Sequence, residues 1–274
     1  MWKKSLGVIA MAGAIGVLAL SSNGCSSSSS GSSDDDGGGD AKPRLDAGDT
    51  DSGAACKPAD VKSFQPTWQP PGVTLGSCSP TQIDGFITGC FADASTPQSC
   101  AAFRSANAAC DKCVVTGNDG PKLGVIVVPP QGQGLPTFNI AGCLAITAND
   151  LSANSCGAKE QAIEQCVEAA CTDNCPIPSS SAASSQEIDA AITAFNNCED
   201  SAAADGCAAF NGSASCLDDL AGDGGPGAKC FVDASDPNHD VLLARNLIQL
   251  FCGGAVVGDG GSDGATQDAA DGGG

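Results

Sequence analysis

Sixteen cysteines crowd into the stretch from Cys56 to Cys252, and a seventeenth, Cys25, stands apart. Sixteen is an even number, enough for eight disulfides. A framework that dense belongs in an oxidising compartment. It also compensates for a weak core. Aromatic residues make up 4% of the chain, with no Tyr and two Trp, while Ala, Gly and Ser abound. Small side chains bury little apolar surface each, so the hydrophobic return per residue is low. Each disulfide adds about 2–4 kcal/mol by restricting the unfolded chain, although several bridges do not sum simply.

The N-terminus reads as an export signal. Lys3 and Lys4 form a short positive region, and Leu6 to Leu20 is an uncharged apolar run. That run is too short for a membrane-spanning helix of ordinary length. Ser21-Ser22-Asn23-Gly24-Cys25 follows, and a small residue before a cysteine at this place resembles a bacterial lipobox. In that pattern the cysteine is acylated and becomes the new N-terminus. Ser22 stands where the pattern prefers Leu. Ordinary cleavage near the small residues is therefore a rival reading, and a retained single-span anchor is a third. The cysteine parity favours lipidation at Cys25, and so does the next stretch. Residues 26–55 are rich in Ser, Gly and Asp, with Leu45 as their one large apolar side chain. Such a segment cannot bury enough surface to offset its ordering entropy, and as a flexible coil it would reach roughly 30 Å. Residues 258–274 have the same style. The expected organisation is a signal at 1–24, a disordered tether at 25–55, a Cys-rich domain at 56–257 and a disordered tail at 258–274.

The formal net charge is −20. No basic patch interrupts it, which argues against nucleic acid and anionic lipid head groups as partners. A solvated, soluble surface is the plain reading.

Within the domain the pattern predicts mainly α structure: disulfide-stapled helical hairpins with one small β-hairpin. Ser79-Pro80-Thr81-Gln82 has the form of a capping box with Pro at N1. Behind it Ile83, Phe86, Ile87, Cys90 and Phe91 share one helical face. Thr96-Pro97 opens a second helix carrying Cys100, Phe103, Asn107 and Cys110. Ile163, Cys166, Val167, Ala170 and Cys171 form a third stripe, with Glu160, Glu164 and Glu168 opposite. Ser184 and Glu187 frame a further capping box before Ile188, Ile192, Phe195 and Cys198. Asp236-Pro237 opens a last helix from Asn238 to Cys252, closed by Gly253-Gly254. It is apolar on most sides and should be the most buried. Lys122–Val128 and Leu135–Ile140 are expected to pair across the Gly-rich turn as a hairpin. Residues 64–71, with three prolines, should be extended.

An internal likeness relates Ile83-Asp84…Cys90…Cys100-Ala-Ala-Phe103…Cys110 to Ile188-Asp189…Cys198…Cys207-Ala-Ala-Phe210…Cys216. If the first unit folds back about position 95, Cys90 opposes Cys100, and Cys78 opposes Cys113 or Cys110. The duplicate unit should make the analogous Cys198–Cys207 bridge.

Motifs with chemistry are weak. Cys110-Asp-Lys-Cys113 is a C-x-x-C, but a thioredoxin-like site would open a helix after a strand, whereas this one closes a predicted helix. A structural disulfide, or two separate ones, is expected. Covalent haem requires a His at position 114, where Val stands. Cys110, Cys113, Cys171 and Cys175 have zinc-like spacing, which oxidation would remove. Cys171-Thr-Asp-Asn-Cys175 is too sparse for a cubane iron–sulfur cluster. Twin C-x9-C units resemble mitochondrial helical-hairpin import substrates in geometry only. His239, the sole histidine, stands at a helix start and reads as a capping or surface residue. Asp49-Thr-Asp51-Ser-Gly53 begins like a calcium loop but lacks its later ligands. No cofactor or metal site is expected.

Cys56-Lys-Pro-Ala-Asp60, Phe64-x-Pro-Thr-Trp-x-Pro-Pro71, Cys78-x-x-x-Gln-Ile-Asp84 and Leu250-Phe-Cys-Gly253 together resemble uncharacterised Cys-rich predicted lipoproteins of myxobacterial type. The resemblance implies an α-rich stapled fold on the cell surface and carries no activity. The reading is therefore a lipid-anchored envelope or surface lipoprotein of the outer membrane. It is not an enzyme, has a non-catalytic binding or structural role, and meets an envelope or extracellular partner of unknown kind. The alternative is an exported enzyme or thiol redox protein.

Overall fold

The computed structural model describes residues 56–254, except 93, 131–133, 179–181 and 223. The chain is mainly helical, with eight α-helices, a small three-stranded sheet and two 3-10 helices among the described residues. Helix α1 spans Pro80–Cys90, α2 Pro97–Ala106 and α3 Ala108–Val114. Strands β1 (Val115–Gly117), β2 (Ile126–Val128) and β3 (Thr137–Phe138) follow. Then come α4 (Ile140–Thr147), α5 (Cys156–Cys171), α6 (Ser185–Ala204), α7 (Ala214–Ala221) and α8 (His239–Phe251). The 3-10 helices, Ala208–Ser213 and Pro226–Cys230, flank α7. Among the described residues, no helix is long and apolar enough to cross a membrane.

Local sequence rules explain where the helices begin. Capping boxes form at Ser79 with Gln82, at Thr96 with Ser99 and at Ser184 with Glu187, and Pro occupies the first turn of α1 and α2. Each box satisfies two backbone donors that the first turn leaves open. Asn139 caps α4 while 97% buried. Its Oδ1 accepts from the Gly142 amide, and its Nδ2 donates to the Leu123 and Gly124 carbonyls. A buried amide is tolerated there because its bonds are made.

The strand interlude holds the expected hairpin, β2 antiparallel to β3, and adds β1 parallel to β2. Its position follows from the helix break at Asn107. The stripe expected to run from Cys100 to Cys110 is divided there, and α3 leads directly into β1.

Two apolar clusters form. The larger gathers α1, α3, the sheet, α4 and α8 around Phe86, Val125, Leu144, Leu247 and Phe251. The smaller gathers α5, α6 and the 56–64 segment around Ile163, Cys166, Phe195 and Cys198. They join where α4 meets α5. Gly157 permits that contact: a Cβ at this position would lie 2.2 Å from the Ala141 carbonyl oxygen.

All sixteen cysteines from Cys56 to Cys252 are paired. Cys90 bonds to Cys100 across the α1–α2 hairpin, with Cα atoms 4.5 Å apart. Of the two outer partners considered for Cys78, Cys110 is the one used, and Cys113 bonds to Cys252 instead. The reason is a chain neighbour distant in sequence. The Cys78 amide donates to the Cys252 carbonyl at 2.9 Å, so α3 meets both cysteines side by side and binds one with each of its own.

Cys198–Cys207 does not form. Cys198 pairs with Cys171, and Cys207 with Cys166. Pro97 breaks the chain between Cys90 and Cys100, whereas no proline lies between Cys198 and Cys207. Helix α6 therefore continues to Ala204 and carries Cys198 onto the face that meets α5. The likeness between the two units is one of sequence, not of bridging.

Candidate functional site

Helix α5 is where the unusual chemistry collects. Ile163, Cys166, Val167, Ala170 and Cys171 form the expected buried stripe. Both polar flanks of the helix are also partly covered, leaving Lys159 and Ala169 as its exposed residues. One flank carries Gln161 and Gln165. They grip the extended segment before α1 as a second strand would. Gln165 Oε1 accepts the Thr67 amide at 2.9 Å while Nε2 donates to the Thr67 carbonyl at 2.9 Å. Gln161 Oε1 accepts the Gln69 amide at 2.7 Å while Nε2 donates to the Gln69 carbonyl at 3.1 Å. The alternation matches an extended chain, in which residues i and i+2 face the same way. Trp68, between them, donates Nε1 to the Leu151 carbonyl.

The other flank carries carboxylates. Glu160, Glu164 and Glu168 follow at one-turn spacing, and Glu199 meets them from α6. Glu160 is 8% exposed and Glu199 9%, with Glu164 and Glu168 half-buried. This is not a solvated face. Burial pushes Glu164 well above the usual carboxylate range, and Glu160, Glu168 and Glu199 raise it further. Burial likewise pushes Glu199 up to about 8, with Glu168 and Asp200 adding repulsion. Glu168 is raised by burial, and a hydrogen bond from the Asn118 side chain opposes that rise. Glu199 Oε2 and Asn196 Oδ1, one turn apart on α6, are buried with no hydrogen-bond partner among the described residues. Chemically, the cluster stores protons at neutral pH: like charges in a poor solvent cannot all ionise.

Metal-ligating geometry is a separate matter. Among the described residues, one group of three candidate ligand atoms converges, the Sγ atoms of Cys56, Cys175 and Cys198, within 4.8 Å of one another. All three are disulfide-bonded, so none is a thiolate able to hold zinc. The other candidates are dispersed. Cys110 and Cys113 occupy two separate bridges rather than one C-x-x-C disulfide. His239 opens α8, with Nδ1 3.2 Å from the Asp233 carbonyl. Cys25 and the Asp49–Gly53 segment lie outside the described residues.

Sequence reasoning did not find the glutamine clamp or the glutamate cluster. One signal was available. Three Glu at one-turn spacing on α5 have a single Lys beside them, Lys159, so the helix cannot neutralise its own acidic flank by paired side chains. The partners that bury them, Asn118 and Glu199, come from distant parts of the chain.

Comparison with protein-family models, curated proteins and solved structures finds no match. The disulfides carry the coarse assignment by themselves. Eight bridges in one domain mark a disulfide-rich protein of the oxidising, extracellular type.

Proposed function

We propose that the chain is an envelope lipoprotein, anchored through acylated Cys25 and held off the membrane by its Ser/Gly/Asp tether, with a non-catalytic binding or structural role at the outer membrane or cell surface. One observation supports this reading above others. The sixteen cysteines of the domain are consumed by one another, which leaves Cys25, at the end of the apolar segment, as the cysteine with no intrachain partner. A free thiol is an unstable feature in an oxidising compartment, and acylation of the residue removes it. The acidic surface and the resemblance to Cys-rich predicted lipoproteins agree with this role.

The test is metabolic labelling with palmitate in a Gram-negative host. Label should enter the wild-type chain and be lost from Cys25→Ser. Label kept by that variant refutes acylation at Cys25. Protease treatment of intact cells then addresses the leaflet: cleavage of the domain without lysis is expected for a surface protein, and full protection would place it facing the periplasm. Cross-linking on intact cells should capture a partner.

A further inference from the structure

Two disulfides of the smaller cluster meet edge to edge. Cys56–Cys175 and Cys171–Cys198 are separate bridges, yet Cys198 Sγ lies within 4.8 Å of both sulfurs of the first. No other three cysteine sulfurs come so close among the described residues. The arrangement has a sequence origin. Cys171 ends α5 and Cys175 follows one turn later, so partners reaching the two are brought together. Cys198 comes from α6 and Cys56 from the segment that follows the tether.

Access differs within the group. Cys56 is half-buried, whereas Cys175 is 5% exposed and Cys171 and Cys198 less. An incoming thiol therefore meets Cys56 first. Cys100, Cys156 and Cys216 are half-buried too, but none belongs to such a group of three sulfurs. A thiol released at those bridges can only recapture its old partner.

We infer that Cys56 is a thiol-exchange site, at which a small thiol becomes covalently attached while the displaced Cys175 takes Cys198 from Cys171. The steps balance without an oxidant or reductant. The small thiol loses its proton to water, and its thiolate attacks Cys56 Sγ. A mixed disulfide forms at Cys56, the Cys56–Cys175 bond breaks, and Cys175 leaves as a thiolate. That thiolate attacks Cys198 Sγ. The Cys175–Cys198 bond forms, the Cys171–Cys198 bond breaks, and the Cys171 thiolate takes up a proton. One thiol enters and one thiol, Cys171, results, so the number of disulfides is unchanged. The released thiol ends in the protein interior, where Cys171 has no exposure. Attack on the mixed disulfide by Cys175 is the reverse of the first step, so the exchanged form is populated in proportion to the added thiol.

The test uses the oxidised, full-length chain and reduced glutathione. The mixture is quenched in acid, denatured, alkylated and mapped without reduction. Three products should rise together with glutathione concentration at pH 8: glutathione on Cys56, a Cys175–Cys198 linked peptide and alkylated Cys171. At pH 5 they should fall by about a thousandfold in initial rate, because the thiolate fraction of a thiol of ordinary pKa falls that far. Glutathione on Cys56 with alkylated Cys175 and an intact Cys171–Cys198 peptide overturns the exchange. Glutathione on Cys175 or on other cysteines, with Cys56 unmodified, overturns the assignment of Cys56 as the point of attack.

Discussion

Glu199 sets the pH behaviour expected of this protein. Folded, it keeps its proton up to about pH 8, whereas the unfolded side chain releases it near 4.5. Between those values the folded chain binds more protons than the unfolded one, so stability falls as pH rises from about 4.5 to about 8. Glu164 and Glu168 are raised as well and act in the same direction. Asp60, Asp150, Glu187 and Asp233 are lowered by hydrogen bonds from neighbouring backbone groups. Their stabilisation is lost only as pH falls below the ordinary carboxylate range. The optimum should therefore lie near pH 5. Thermal unfolding should give a higher Tm at pH 5 than at pH 8, and Glu199→Gln should narrow the gap, stabilising the chain at pH 8 by on the order of 2 kcal/mol. A Tm that climbs steadily to pH 8 would contradict the buried cluster. Such a residue is hard to read in advance. Glu199 follows a cysteine in a helix that begins with a clear capping box, and nothing within its own turn says that α5 will bring three more carboxylates to it.

At the scale of elements, local rules carried far. The capping residues Ser79 and Ser184 start α1 and α6 as their spacing predicts, and Leu243, Leu247, Ile248 and Phe251 make α8 a buried helix. What local rules could not supply was pairing. Strand β1 is three residues long and gains its place only from a parallel neighbour downstream. The clamp is of the same kind, since Gln165 is an ordinary helix residue until the 64–71 segment lies against it. Two changes test these contacts. Gln165→Ala removes two hydrogen bonds to Thr67 and should cost about 1–2 kcal/mol. Hydrogen exchange at the Thr67 amide should quicken while the α8 amides stay protected. Equal acceleration at both places would mean that the segment and the larger cluster open as one unit. Gly157→Ala is the severer change. Its Cβ would lie 2.8 Å from the Ala145 Cβ as well as against the Ala141 carbonyl, and neither can withdraw without moving α4. A loss of about 3 kcal/mol is expected from overpacking, read as a lower urea midpoint with a native-like m-value. An unchanged midpoint would show that α4 and α5 are held apart more loosely than this.

Across the whole molecule, the disulfides differ in how much of the chain they close. Cys113–Cys252 has a sequence separation of 139, and Cys90–Cys100 one of 10. Taken alone, that ratio favours the long bridge by about 2 kcal/mol in the chain-entropy account. The bridges are not alone. With Cys143–Cys230 in place, the path from Cys113 to Cys252 in the unfolded chain shortens to roughly 50 residues, and the advantage falls to about 1.5 kcal/mol. Alanine is the fitting replacement, because Cys113 and Cys252 are 6% and 0% exposed and a buried serine would add an unsatisfied hydroxyl. Cys113→Ala/Cys252→Ala should therefore lose about 2–5 kcal/mol, and Cys90→Ala/Cys100→Ala about 1.5 kcal/mol less. Urea midpoints at pH 5 give the comparison directly, since Glu199 is then protonated in both variants. The reverse order would mean that the α1–α2 hairpin owes its geometry to its bridge. In that case native-state contacts, rather than restriction of the unfolded chain, would be the main way these disulfides stabilise the fold.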